Sequence, residues 1–410
     1  MNGENRKVFF TQKGIGDTLM LQGAMENIYN ITKEKQIVCL TTEVNKIIFK
    51  NNPYVEILDF KLKDKTIERS IKLLKRKGLD LIWLDYYDLF YSDSNDLKIS
   101  FSKIPVIAEF VRQAGVSGEV ELKPKIYLTD EEKKFGKFFD KNQIAIMSEG
   151  LSIFKRYPFL KFQEILDRLK SRFNFVQIGN GTDKKLDGAL DLRGKYSIRE
   201  VASILYNSDL FVGEVGALMH LARAVDTRAV IAYTKHEPPY LYEYIANKNV
   251  FSKYECDLCL KNKVLPYITE KSYCPKNFNC IKTVETEDMI KMINICMEEE
   301  LKNKNLETKK VFVKKSEKEN TVKSYFFSLQ AISTVIINFY LFSLILVLSI
   351  HNYKNEKIKF KLFNFFTILK IKNKLKNLKK YYLFNFLPIF SIKNGLVKFF
   401  CVLPILKIKY

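Results

Sequence analysis

The stretch LFVGEVGALMHLARA, residues 210–224, decides the fold of the second half of the chain. An apolar run, residues 210–213, leads through Gly213 and Gly216 into a helix of small residues that carries His220. Glycines let a backbone approach a phosphate closely, and the amides at the start of the following helix supply donors and a positive dipole. The stretch therefore predicts a strand, a glycine turn and a helix that together form a diphosphate site.

The N-terminus of the chain has the same design. Residues 8–11 form an apolar run that predicts a buried strand, and the glycine turn Gly14-Ile15-Gly16-Asp17 follows it. An amphipathic helical pattern continues from this turn. Strand, glycine turn and helix in this order indicate a Rossmann-type opening.

Short apolar runs alternate with helical patterns through the first three hundred residues. This alternation predicts an α/β fold with two Rossmann-like domains built on parallel sheets. Further strands are expected at residues 37–40, 55–60, 79–84, 144–147, 175–179 and 229–233. We place the domain boundary in the charged stretch 130–143, and so expect domains over 1–140 and 141–300, a charged linker over 301–323 and a tail over 324–410.

Four segments in order resemble glycosyltransferase family 9, the bacterial heptosyltransferases. They are the Gly16-Asp17 pair, Lys155-Arg156-Tyr157-Pro158, residues 191–194 with a helix from Ser197, and the Met219-His220 helix start. The resemblance covers roughly residues 7–295. It implies the GT-B fold, in which two Rossmann-like domains face a cleft, with the acceptor bound mainly by the first and the nucleotide-sugar by the second.

The resemblance also implies the catalytic base. Asp17 takes the place of the family's aspartate, which removes a proton from the acceptor hydroxyl in an inverting transfer. The alternative from local sequence is that Asp17 only caps its helix, whereas Ser197 with Glu200 three residues later forms a capping box and is assigned to structure.

Donor-binding residues follow from the same resemblance. Lys155 matches the family's phosphate-binding lysine, Arg156 could share that role, and His220 matches a histidine at the donor diphosphate, with Gly213 and Gly216 forming the turn. The alternatives are a solvated loop lysine and a packed core histidine. No catalytic cofactor is expected, because the lysine and the helix start replace a divalent metal.

The sequence departs from the family just before His220. Aligned on Met219 and His220, the family's sugar-contacting aspartate falls at Val215, and the carboxylate of Glu214 lies one residue earlier. Either the turn presents Glu214 to the donor, or an ADP-heptose-like donor is recognised differently. The alternative function is a catalytically weak or inactive nucleotide-sugar-binding protein at a membrane.

Four cysteines cluster late in the second predicted domain, Cys256, Cys259, Cys274 and Cys280. Four thiolates suit a tetrahedral structural zinc site. The second pair lacks the Cys-x-x-Cys spacing, so free or transiently oxidised thiols are the alternative.

The chain is strongly basic, with 68 lysines and arginines against 46 acidic residues and a formal charge of +22. Such a balance favours a polyanionic partner or an anionic membrane surface. Much of the excess lies beyond Lys354, where the only acid is Glu356. No zinc-finger, helix-turn-helix or ribonucleoprotein motif is present, so no nucleic-acid partner is expected.

The tail pattern favours the membrane. Residues 325–350 carry no formal charge and have a length suited to span a bilayer or lie on one. Three repeats of aromatic, aliphatic and lysine residues follow at 362–372, 383–393 and 399–409. The alternative interpretation is that these repeats pack on the globular domains. With no secretory signal at the N-terminus, we expect the enzyme at the cytoplasmic face of the bacterial inner membrane, beside a lipid-linked lipopolysaccharide or lipooligosaccharide acceptor.

Overall fold

A computed structural model of the chain describes residues 6–10, 14–40, 42–58, 74–91, 97–255, 278–299 and 306–314, together with short strands between residues 358 and 409. The chain forms two units, Met1–Gln330 and Ala331–Tyr410. The first unit contains two separate parallel sheets, which confirms the predicted α/β class.

The first sheet has four parallel strands in the order β3-β2-β1-β4. Its elements are β1 Arg6–Phe10, α1 Ile15–Thr32, β2 Gln36–Cys39, α2 Glu43–Phe49, β3 Val55–Leu58 and β4 Leu79–Trp83. Strand order reverses between β1 and β4, because β2 and β3 lie on one side of β1 and β4 on the other. Ligands of such sheets bind outside the carboxyl ends of the strands at this reversal, where β1 leads into α1.

A connecting region follows the first sheet. It contains an antiparallel hairpin of β5 Tyr87–Tyr91 and β6 Leu97–Phe101. The helix α3 Val106–Gln113, the strand β7 Gly118–Glu121 and the helix α4 Asp130–Lys133 follow the hairpin.

The second sheet has six parallel strands in the order β10-β9-β8-β11-β12-β13. The apolar residues of β8, β11 and β12 are buried, as expected of parallel strands covered by helices on both faces. Its elements are β8 Gln143–Ile146, α5 Phe159–Leu169, β9 Asn174–Gln177, β10 Leu190–Asp191, α6 Ile198–Tyr206, β11 Leu210–Glu214, α7 Ala217–Ala224, β12 Ala229–Tyr233, a 3₁₀ helix Pro239–Leu241 and β13 Asn247–Phe251. Here the order reverses between β8 and β11.

The helix α6 begins as its sequence predicts. Ser197 Oγ accepts a hydrogen bond from the backbone N of Glu200, and the Glu200 carboxylate accepts one from the backbone N of Ser197. The predicted capping box is therefore confirmed.

The chain returns to the connecting region after the second sheet. The helices α8 Asn279–Lys282 and α9 Thr286–Glu298 precede β14 Lys310–Val313, which pairs antiparallel with β7. This strand lies within the range predicted as a charged linker, so part of that range is ordered by pairing with a distant strand.

Charged side chains join the two sheet regions. Arg199 of α6 donates to both carboxylate oxygens of Glu132 at 2.6 Å and to the backbone oxygens of Tyr127 and Lys50 at 2.6 and 3.1 Å. The Arg199 hydrogen bonds lower the pKa of Glu132 to about 2. The helix α1 packs directly against α7. The turns that lead from β1 into α1 and from β11 into α7 therefore lie close together.

The second unit contains short strands at Ile358–Lys359, Lys370–Ile371, Lys379–Leu383, Leu387–Lys393, Leu396–Phe399 and Lys407–Lys409. The predicted membrane segment 325–350 lies outside the described residues. Among the helices that the structure does describe, none has both the length and the apolar composition needed to cross a bilayer.

Candidate functional site

The turn after β11 leaves open space at the start of α7. Gly216 caps the helix in an extended conformation, and a Cβ placed on it would meet no heavy atom of the described residues within 4 Å. The first amides of a helix have no partner inside the helix, and Gly216 with its open side immediately precedes them. This part of the turn has the form that a diphosphate site requires.

Gly213 has a packing role that the sequence did not indicate, and its part in donor binding stays a prediction. It lies inside β11, and a Cβ there would fall 2.5 Å from Phe211 Cζ and 2.9 Å from Met147 Sδ. Its missing side chain makes room for core packing.

Lys155 lies in a buried ion pair that the sequence did not reveal. Its Nζ is 2.6 Å from Oε1 of Glu237, and the two side chains are 12% and 7% exposed. Tyr242 donates to the other carboxylate oxygen of Glu237 at 2.8 Å. Burial raises the pKa of Glu237, but the charges of Lys155 and His236 and the hydrogen bonds from Lys155 and Tyr242 together outweigh this effect, and the net pKa lies below the ordinary range. Glu237 is therefore ionised at neutral pH beside the Lys155 amine.

His220 is a buried, uncharged group at the junction of the two sheets. Its Nδ1 lies 2.8 Å from the Tyr244 hydroxyl, and its ring packs edge-on against Tyr242 at 4.7 Å. Burial, with the Lys155 charge, lowers the pKa of His220 to about 3. Across the junction, a Cβ on Gly16 would fall 2.6 Å from His220 Cδ2, so the glycine permits α1 to approach α7.

Asp17 occupies the first turn of α1 at this junction. Its Oδ2 accepts a hydrogen bond from the backbone N of Gly14 at 3.0 Å, which is the capping contact weighed from the sequence. Burial raises the pKa of Tyr244 well above its ordinary value, and the Asp17 carboxylate adds to this shift. The carboxylate thus caps its own helix and lies within electrostatic reach of the His220–Tyr244 pair.

Residues 111–267 match the model of glycosyltransferase family 9 (heptosyltransferase). Over this range the chain is similar to the heptosyltransferases of that family, and the match supports a glycosyltransferase enzyme. This match contains Lys155, Gly216 and His220, whereas Asp17 lies before it. No sequence among curated proteins matches the chain.

Solved structures share the fold of this glycosyltransferase. A glycosyltransferase family 9 protein from Veillonella parvula DSM 2008 is 13% identical, with a TM-score of 0.51 over 72% of this chain and 98% of that chain. The iron-containing dodecameric glycosyltransferase TibC from enterotoxigenic E. coli H10407 is 16% identical, with a TM-score of 0.55 over 72% and 76%. The E. coli ADP-heptose LPS heptosyltransferase II is 12% identical, with a TM-score of 0.51 over 71% and 98%. At these identities the likeness shows the fold, an α/β arrangement with parallel sheets that matches GT-B glycosyltransferases.

In the glycosyltransferase the turn does not present Glu214 to solvent. Its side chain is buried, and Oε2 accepts a hydrogen bond from the backbone N of Tyr157 at 2.6 Å. A Cβ on Gly150 would collide with Oε1, so this glycine makes room for the carboxyl group. Burial raises the pKa of Glu214 to about 8, so it is mainly protonated at neutral pH. Glu214 ties the loop that carries Lys155 to the end of β11, and its role in donor binding stays a prediction.

Arg156 holds the same loop of the enzyme from outside. Its Nε donates to the backbone oxygen of Gly150 at 2.9 Å, and its guanidinium lies 3.0 Å from Glu149 Oε1. The side chain is 38% exposed, which leaves it near solvent, in contrast to Lys155.

The cysteine cluster of the glycosyltransferase falls largely outside the described residues. Cys280 is buried in α8, whereas Cys256, Cys259 and Cys274 lie in the range 256–277 that the structure does not describe. Within the described residues no cluster of three or more metal-binding side chains occurs. The zinc hypothesis therefore stays a prediction.

Proposed function

We propose that the enzyme transfers a heptose-like sugar, with inversion, from an ADP-linked donor to the core of a lipopolysaccharide or lipooligosaccharide acceptor. The observation that carries this proposal is the contact between Gly16 of α1 and His220 of α7. It brings Asp17, the residue after Gly16, next to the helix start that has the form of a diphosphate site. An acceptor hydroxyl at Asp17 would then face the anomeric carbon of a donor bound at α7.

The proposed step needs one base and one site for the leaving group. Asp17 takes the proton from the acceptor hydroxyl while the hydroxyl oxygen forms a bond to the anomeric carbon. The bond from that carbon to the diphosphate oxygen breaks on the opposite face, so the configuration inverts. Its electron pair leaves with the diphosphate, whose added charge the first amides of α7 and the Lys155 ammonium stabilise. No divalent metal enters this step.

The choice of donor is supported by the proteins with the same fold. TibC has been solved in complex with ADP-D-beta-D-heptose, and the E. coli relative is described as an ADP-heptose LPS heptosyltransferase. A transfer assay with ADP-heptose, UDP-hexoses and GDP-hexoses on isolated core oligosaccharide tests the proposal. We expect turnover with ADP-heptose and a product of inverted anomeric configuration by NMR. Turnover with another donor alone would exclude heptose, and a product of retained configuration would exclude the proposed step.

The donor site predicts different effects for Gly216, at the start of α7, and Gly213, inside β11. Gly216→Ala should leave the melting temperature nearly unchanged, because its Cβ enters open space, yet weaken ADP binding by about tenfold where the diphosphate approaches the backbone. Gly213→Ala is the matched control and should lower the melting temperature through its clash with Phe211 and Met147. Calorimetry with ADP and thermal unfolding measure both effects. If Gly216→Ala bound ADP with full affinity, the diphosphate would not bind at this turn.

We propose that the tail keeps the enzyme at the cytoplasmic face of the inner membrane, beside its lipid-linked acceptor. Each lysine near an anionic surface contributes about 1 kcal/mol, and the three repeats place lysines between apolar blocks. A chain that ends at Lys323 retains β14 and should stay folded while losing binding to phosphatidylglycerol vesicles. Co-sedimentation measures this loss, with phosphatidylcholine vesicles as the control. Equal binding by both chains would contradict the tail hypothesis.

We also propose that Cys256, Cys259, Cys274 and Cys280 bind one structural metal. Four thiolates suit zinc or iron, and the TibC relative is iron-containing. Elemental analysis of reduced protein should find about one metal ion per chain, lost in the double variant Cys256→Ser/Cys259→Ser together with stability. Cys296→Ser, which changes a cysteine of α9, should retain the metal. If protein purified without chelator contained neither zinc nor iron, the four cysteines would be structural thiols without a metal.

A further inference from the structure

The ion pair between Lys155 and Glu237 is buried at the carboxyl edge of the second sheet. Lys155 lies on the loop after β8 and Glu237 on the segment after β12, so β11 and its turn run between their strands. Removing two charges from water is unfavourable, and apolar residues of similar volume stabilise a fold as well or better. Packing therefore does not account for charges at this position, which is the edge where the leaving diphosphate is proposed to bind.

Glu237 supplies a negative charge directly beside Lys155. The Lys155 ammonium acts electrostatically on Glu214 from β11, on His220 from α7, and on His236 and Glu237 after β12. Burial lowers the pKa of His236 to about 4, so both histidines are neutral at pH 7, and Glu214 is mainly protonated. Among these described groups, Glu237 is the one that carries a negative charge.

The carboxylate of Glu237 is itself fixed in place. One oxygen binds Lys155 and the other accepts the Tyr242 hydroxyl, whose ring packs against His220. The ammonium, the carboxylate and the His220 ring thus form one connected group beneath the start of α7. On the same loop, Arg156 pairs with a different carboxylate, that of Glu149.

We propose that Glu237 is a positioning residue that holds the Lys155 ammonium, charged and in a fixed place, for the diphosphate of the donor. This inference rests on the proposed function. A buried ammonium that is deprived of an adjacent carboxylate loses its proton more readily than one that keeps it. Glu237 prevents this loss, and donor binding therefore stays independent of pH through the neutral and mildly alkaline range.

The test measures ADP affinity by calorimetry from pH 6.5 to pH 9 in the full-length protein. In Glu237→Gln, which keeps size and hydrogen bonding but removes the charge, burial favours the uncharged amine of Lys155. We expect the Kd for ADP to rise by about tenfold or more across this range, against less than about threefold in the wild type. A merely structural role would lower the melting temperature without giving this pH dependence.

Glu237→Asp separates charge from position. It keeps the carboxylate but withdraws it by one methylene, so we expect weaker ADP binding with a pH profile as flat as that of the wild type. If the ADP affinities of Glu237→Gln and the wild type changed with pH in the same way, the proposal would be overturned. If Glu237→Gln does not fold, wild-type ADP affinity of Glu237→Asp at every pH would overturn it. Failure of the wild type to bind ADP at all would instead refute the donor assignment and the inference with it.

Discussion

Replacement of Asp17 by asparagine is expected to lower the rate of sugar transfer by about a hundredfold or more. Asp17 is the third residue of α1, and an asparagine side-chain oxygen there can still accept the hydrogen bond from the backbone N of Gly14. The substitution therefore removes the proton acceptor and little else. Initial rates with saturating donor and acceptor measure the effect, and melting temperature and ADP affinity should both stay close to those of the wild type.

Two further variants separate the base from the cap. Asp17→Ala should lose the rate to a similar extent and in addition about 1 kcal/mol of stability, because the cap is lost as well. Glu43→Gln changes an acidic residue in the first turn of the neighbouring helix α2 and should leave the rate unchanged. If Asp17→Asn transferred sugar at the wild-type rate, Asp17 would be a helix cap only, and the base would lie elsewhere.

The sheets could be predicted from sequence because their signals are local. The strands β8, β11 and β12 are buried on both faces, and each is a short run of apolar residues between helical patterns. The start of α6 was equally local, since a serine and a glutamate three residues apart are sufficient for a capping box. Elements whose stability depends on neighbours in sequence were therefore predictable.

The missed features depend on contacts between distant parts of the chain. The sequence left open whether the turn presents Glu214 to the donor, and it did not reveal that Gly150 and the Tyr157 amide provide a buried site for this carboxyl group. Glu237 gave no motif, and only the sheet order brings its segment to Lys155. The strand β14 was hidden by its lysine-rich composition, since its order comes from pairing with β7.

The contact between the two sheet regions leads to the second large expected effect, that of Gly16→Ala. The added methyl group would lie 2.6 Å from Cδ2 and 3.3 Å from Nε2 of His220. The imidazole cannot turn away easily, because Tyr244 binds its Nδ1 and Tyr242 packs against its ring. The start of α1 must therefore move away from α7, and Asp17 moves with it.

We expect Gly16→Ala to lower the free energy of unfolding by about 1–3 kcal/mol, as overpacking in a filled interior does. The transfer rate should fall by about tenfold or more, since a base displaced by about an ångström no longer meets the acceptor hydroxyl. ADP affinity should change little, because Lys155 and the start of α7 belong to the second sheet. Denaturant unfolding, initial rates and calorimetry separate these three effects.

Two controls make the origin of the effect testable. Gly14→Ala lies in the same turn, and among the described residues its Cβ would meet only Asp17 Oδ2 at 3.8 Å, so stability and rate should stay near those of the wild type. In the double variant Gly16→Ala/His220→Ala the clash is absent, and the stability losses of the two single changes should fail to add by about 0.5–3 kcal/mol. If the stability losses of the two single variants added strictly, or if Gly16→Ala had wild-type stability, α1 and α7 would not touch at this point. Asp17 would then reach the donor by another arrangement of the two sheets.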